Sequence, residues 1–142
     1  MLRRAPTYAG PTPVIHPENE QFWTSLAAGR LELQRCTACS RVRFPVAPVC
    51  YECGSLDYSW KEVVGNGNVA VAIRVERATG DPVWASQVPF ISGLIDIAPG
   101  LRLPGRIFCN CGEVLTRGTA VAGSYQPGDG FGVLCFTHDC AD

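Results

Sequence analysis

Cys36, Cys39, Cys50 and Cys53 stand in the pattern C-x2-C-x10-C-x2-C. Two C-x-x-C pairs joined by a short loop can bring four thiolates to the corners of a tetrahedron around one Zn²⁺. Each pair must sit on a tight turn: Cys36-Thr37-Ala38-Cys39-Ser40 and Cys50-Tyr51-Glu52-Cys53-Gly54. Gly54 suits a turn that needs positive φ. With four sulfurs on the ion no coordination position stays open, so the predicted role is structural. Two other readings of the spacing are weighed. A pair of disulfides fits poorly, because a redox C-x-x-C calls for one pair beside a βαβ pattern. Iron is the minority metal, since thiolate sites of this shape accept it as well.

The remaining cysteines are Cys109, Cys111, Cys135 and Cys140. Cys109 and Cys111 would share one face of a strand. With His138 these residues could assemble a second metal site. The favoured reading is that they are small apolar side chains, metal-free and not nucleophilic. The only histidines, His16 and His138, lie in terminal segments. No nucleophile–base pair can therefore be assembled. Gly65-Asn66-Gly67 lacks the lysine and the helix of a phosphate-binding loop.

The 142 residues are 46% hydrophobic, enough for one domain or two very small ones. A net charge of −1 offers no bulk attraction to nucleic acid or to an anionic membrane. Residues 60–142 carry six basic and eight acidic side chains, which disfavours a nucleic-acid groove. No apolar run approaches the roughly 20 residues of a membrane span. Met1-Leu2-Arg3-Arg4-Ala5-Pro6 has no hydrophobic segment behind it and does not read as a signal peptide. Metal spacing without an export signal points to a reducing, cytoplasmic compartment.

Three elements must position this chemistry. Residues 1–15, with Pro6, Gly10, Pro11 and Pro13, read as an extended arm rather than a folded element. Residues 16–58 read as a helix plus zinc ribbon. The helix begins near Pro17, has Glu18 and Glu20 in its first turn, and stops at Gly29. Phe22, Trp23, Leu26 and Ala27 share its apolar face by spacing. Leu31 to Arg35 and Arg41 to Phe44 alternate as strands leading into and out of the first cysteine turn. Residues 59–142 read as all-β. The strand candidates are Trp60 to Val64, Asn68 to Arg77, Val88 to Ile97, Leu101 to Phe108, Thr119 to Tyr125 and Phe131 to Phe136. Gly- and Pro-containing turns separate them. Five or six short strands in about 80 residues suggest a small closed barrel of the OB type. Cys111 to Leu115 reads as a short helix or a turn between two barrel strands.

Specific residues also carry a resemblance. Phe22-Trp23, Leu26, Gly29-Arg30-Leu31, Leu33-Gln34-Arg35 and the first cysteine pair open it; Phe44-Pro45, then the second pair with Gly54-Ser55, then Trp60 and Gly65-x-Gly67 continue it. Over most of residues 15–137 the chain resembles the DUF35 family. Ser40, where glycine is common, and Cys109-Asn110-Cys111 depart from the pattern. The resemblance implies a mainly β protein: an N-terminal helix and rubredoxin-like zinc ribbon, then an OB-fold barrel. It also implies an accessory subunit without catalytic residues of its own. Such a subunit partners a thiolase-like acyl-CoA enzyme: a thiolase, a hydroxymethylglutaryl-CoA synthase assembly, a polyketide-type acyltransferase, or a steroid side-chain aldolase of the lipid-transfer-protein type. It would help hold the CoA moiety in a hetero-oligomer. The alternatives are a nucleic-acid-binding module and an iron-containing electron carrier. Within this frame Phe22 and Trp23 are expected to face a partner. Arg41, Arg43 and Phe44 are expected to border the CoA path or that same partner, because arginine and aromatic side chains dominate interfaces and arginine suits phosphate.

Overall fold

The computed structural model describes residues 1–110 and 115–139. The expected helix or turn over Cys111 to Leu115 therefore lies almost wholly outside the described residues. The short helix α1 spans Glu20–Ala27, three residues later than Pro17 suggests. Residues 17–19 form a turn instead, tied down by Asn19, whose Oδ1 accepts from the His16 N–H at 2.7 Å. Gly29, at φ 78°, ends the segment in the left-handed region that glycine adopts readily. Phe22, Ser25 and Leu26 are the buried face, while Ala27, expected on it, is exposed.

Strands β2 (Glu32–Cys36), β3 (Val42–Arg43) and β4 (Tyr58–Glu62) form a three-stranded sheet in the order β3-β2-β4. The reading that assigned Trp60 to Val64 to the all-β half is corrected here. β4 pairs with β2 over five residues, from Glu32↔Glu62 to Cys36↔Tyr58. A period of two identifies a strand and its faces but not its partner.

The second sheet holds β5 (Gly67–Val75), β6 (Phe90–Ala98), β7 (Leu101–Cys109), β8 (Ala120–Pro127) and β9 (Gly132–His138). Neighbours run β8-β5-β6-β7-β9, and β9 pairs back to β8, which closes the ring. All pairings are antiparallel except β7 with β9. Numbered from β5, that is strand order 1-2-3-5-4-1, the Greek-key closure of an OB-type barrel. β5 holds β8 only at Gly67↔Val121 and Asn68↔Ala120. Farther along the same edge of β8, the arm takes over: β1 (Arg3–Arg4) pairs parallel with Ser124 and Tyr125. The Ala5 and Tyr8 N–H groups then donate to Tyr125 O and Pro127 O. Residues 3–8 of the arm are thus hydrogen-bonded along the sheet edge.

One apolar cluster unites the parts. Phe22, Leu26, Leu31 and Leu33 from helix and ribbon pack with Val69, Ile95, Leu103, Ile107 and Phe136 of the barrel. Gly132 marks the closest approach: a Cβ there would lie 2.5 Å from the backbone C and O of Leu26. Among the described residues no helix is long and apolar enough to cross a membrane.

Candidate metal centre and neighbouring clefts

The two cysteine turns are copies of one backbone device. In the first, the Cys36 N–H donates to Arg41 O at 2.9 Å and the Ser40 N–H to Cys36 O at 2.8 Å. In the second, the Cys50 N–H donates to Ser55 O and the Gly54 N–H to Cys50 O, both at 3.0 Å. The residue after each second cysteine is left-handed, Ser40 at φ 69° and Gly54 at φ 76°. Serine thus carries a conformation that glycine adopts without strain.

These turns bring the four sulfurs within 4.8 Å of one another, with Cys36–Cys53 and Cys39–Cys50 both at 3.6 Å. A tetrahedral ion with metal–sulfur bonds near 2.3 Å requires sulfur–sulfur edges of about 3.8 Å. A disulfide would need about 2.05 Å. The cluster is therefore open for one metal ion, and all four cysteines are free thiols. Cys36 and Cys50 are buried, Cys39 and Cys53 exposed. The Cys39 N–H above all, helped by the Ala38 N–H, holds the Cys36 thiol down to about 6. The Cys53 and Glu52 N–H groups lower Cys50 in the same way. At Cys53 the Ser55 N–H pulls downward, but the Cys36 thiol and burial outweigh it and push the group up to about 12. Four anionic sulfurs this close repel one another, so a cation is what allows all four to be thiolates.

Beside the cluster, Gln34, Cys36, Arg43, Tyr58 and Trp60 share one face of the ribbon sheet by register. Arg43 does not reach a surface. It is 4% exposed, donates through Nε to Gln34 Oε1 at 3.1 Å and through Nη2 to Ala47 O at 2.8 Å, and lies 5.2 Å from the Tyr58 ring centre. Its Nη1 is buried without a hydrogen-bond partner. The expected role for Arg43 on a CoA or partner surface is thus corrected: its guanidinium braces the loop between the two cysteine turns. Gln34, the Ala47 loop and Tyr58 enclose it, contacts that the alternation of residues 41–44 does not reveal. Arg43→Met should lower stability by about 2 kcal/mol, because it leaves the buried Ala47 carbonyl unpaired. Chemical denaturation checks this; a parent-like midpoint and slope would refute it.

The other expected contact residues scatter. Arg41 is at the surface and pairs with Glu52 at 3.3 Å, linking the two turns. Such exposed pairs contribute little, about 0–1 kcal/mol. Phe22 is 7% exposed and belongs to the core. Trp23 is half-buried, packed edge-on against Phe22 at 5.1 Å and Phe131 at 6.4 Å. Trp23 and Phe44 border a groove of about 380 Å³, with Pro45, Val46 and His16. A second cleft of about 570 Å³ shares Pro104, Val133 and Leu134 with that groove. It lies under Tyr8 and Trp84 and contains Arg106, none of which the sequence reading singled out.

Of the later cysteines, Cys135 is fully buried, and burial pushes its thiol up to about 12. Cys109 is disulfide-bonded, not free as expected; spacing alone cannot show which backbones approach closely enough. Cys111 and Cys140 lie outside the described residues.

Known proteins fit this geometry. A family described as "ChsH2, rubredoxin-like zinc ribbon domain" matches residues 23–59. A probable enoyl-CoA hydratase alpha subunit of Thermomonospora curvata is 33% identical over 93 residues, which are 66% of this chain. The match spans only 28% of that relative's length. Among solved structures, the Ltp2-ChsH2(DUF35) aldolase superposes with a TM-score of 0.77 at 26% identity, over 89% of this chain and 98% of that one. A DUF35 protein of unknown function from Sulfolobus solfataricus shares the fold, with a TM-score of 0.59 at 18% identity, over 87% and 86% of the two chains. The rubredoxin-like ribbon and the barrel that follows it are similar to those of DUF35 proteins, and together these likenesses support the DUF35 family.

Proposed function

We propose that this chain is a non-catalytic accessory subunit of an acyl-CoA-processing enzyme. The likeness to the Ltp2-ChsH2(DUF35) aldolase chain, which runs through ribbon and barrel alike, carries this reading. The hydratase-subunit name of the T. curvata relative supports the same substrate class. The metal is one structural Zn²⁺ on Cys36, Cys39, Cys50 and Cys53. The sulfur spacing supports a tetrahedral ion, and the closed ligand set leaves it no catalytic position. The partner is a thiolase-like or lipid-transfer-protein-type subunit, whose residues perform the chemistry. Trp23 and Phe44, on the groove between helix and ribbon, contact that partner or the CoA it holds. An aromatic pair at the rim of an apolar groove is the composition of an interface anchor.

Co-expression with a thiolase-like subunit from the same genome tests the reading. A stable hetero-oligomer should form, and the lone zinc-loaded chain should turn over no acyl-CoA. Trp23→Ala should keep its metal and fold but weaken the complex by about tenfold or more. Acyl-CoA turnover by the lone chain, or recovery of nucleic acid with no protein partner, would sink the proposal. Trp23→Ala unfolding the chain while folded molecules bind normally would return Trp23 to the core.

A further inference from the structure

The cleft of about 570 Å³ lies on the outer face of β6, β7 and β9. The register places Ser92 opposite Arg106 and Arg106 opposite Cys135, on the face that alternates with the inward Leu103 and Ile107. The connection from β5 to β6 roofs this face through Trp84, and the arm closes it through Tyr8. These two rings meet edge-to-face at 6.3 Å. The Gln87 amide donates to Ala9 O on the arm and accepts from Arg106 Nη1 at 2.7 Å.

Arg106 is held in an unusual way. Phe90 and Phe108 both pack against its guanidinium, each ring centre 4.9 Å away. Burial lowers its pKa, so the cation is partly stripped of water. Yet no carboxylate of the described residues lies within 4.0 Å of it. Cys135 supplies no counter-charge, because its thiol stays neutral. Among the described residues, Arg77 and Arg106 are the only charged ones lining the cleft. Gln126, 6% exposed, also opens onto it and makes no side-chain hydrogen bond among the described residues.

We propose that this cleft binds a carboxylic acid with an apolar body, its carboxylate on the free edge of Arg106. The Phe90 and Phe108 rings pack against the guanidinium and Gln87 takes one Nη1 donor. What remains is a planar fork, which matches a planar carboxylate in bidentate contact. A tetrahedral phosphate gains most from donors in several directions; Arg106 offers one fork held by packing, and Arg77, the other arginine of the cleft, is exposed. Trp84, Tyr8 and Pro104 supply the apolar walls, and the volume falls in the roughly 300–1,000 Å³ of small-molecule sites. The site belongs to the lone chain and does not depend on the partner reading.

Titration of the zinc-loaded chain with decanoate, followed by tryptophan fluorescence and calorimetry, tests this. One saturable equivalent of decanoate is expected. Decanol should bind roughly tenfold more weakly, and Arg106→Met should lose about the same factor for decanoate but not for decanol. Gln126→Leu should weaken decanoate by a smaller factor. Equal binding of decanol and decanoate, or no saturable decanoate binding, overturns the proposal. Tighter competition by decyl phosphate or free CoA overturns the assignment to carboxylate. Should Arg106→Met fail to fold, the decanoate–decanol comparison on the parent chain still decides.

Discussion

Cys50→Ser is expected to release the metal and unfold the ribbon. Cys50 is buried, its thiol is already lowered by two backbone N–H groups, and it supplies one of four sulfurs within 4.8 Å. The ribbon sheet has two five-residue strands and one of two residues, too little to stand without a staple. Structural zinc in small domains contributes about 10–16 kcal/mol of apparent folding free energy. Three sulfurs cannot retain most of that. The variant should lose its one equivalent of zinc, expose Cys36, Cys39 and Cys53 to alkylation, and melt in a broadened transition at lower temperature. The barrel should be weakened too, because Leu31 and Leu33 lie in its core cluster. Acid should act in the same direction, since protons compete with the ion for thiolates. Cys135→Ser is the control: it should keep the zinc while disturbing the core. A Cys50→Ser protein with one tightly held equivalent and the parent melting temperature would show that the cluster does not hold the fold.

Gly132→Ala should produce the second-largest effect, at the seam between helix and barrel. The added methyl would meet the Leu26 backbone at 2.5 Å, and backbone cannot rotate out of the way. The helix would have to lift from β9, and Phe22 and Leu26 would lose part of their burial. Overpacking of this kind costs about 3 kcal/mol. Denaturant unfolding should show that loss, and hydrogen exchange should show α1 opening ahead of the barrel. Zinc content should not change, because no cysteine turn touches the site. Unchanged stability would mean that helix and barrel slide freely over one another. Gly105→Ala tests a softer contact, since its methyl would meet the Phe136 ring at 2.8 Å, and should cost less.

Much of this molecule was legible in one dimension because its signals are local. The metal cluster follows from two cysteine pairs, each closed by hydrogen bonds within six residues. Gly54 and Gly29 mark left-handed positions that a side chain disfavours. The strand candidates of the barrel fall on β5 to β9 within about two residues at each end, because alternation and turn residues are near-neighbour properties. The DUF35 resemblance rests on those same residues.

What tertiary structure decided is which local pieces meet. The pattern around Trp60 identifies a strand, and only the fold pairs it with β2. It sets Tyr58 beside Arg43, whose hydrogen bonds to Gln34 and Ala47 make an expected surface contact an internal brace. Phe22 and Trp23 are adjacent in sequence, yet Phe22 enters the common core while Trp23 keeps an edge on the groove, because the helix meets β9 at Gly132. The cleft around Arg106 draws on the arm, the β5–β6 connection and all five barrel strands, separated by as many as 126 residues in the chain. Local periodicity contains no term for such distant approaches; they are set by barrel closure and by the burial of apolar surface from the whole chain.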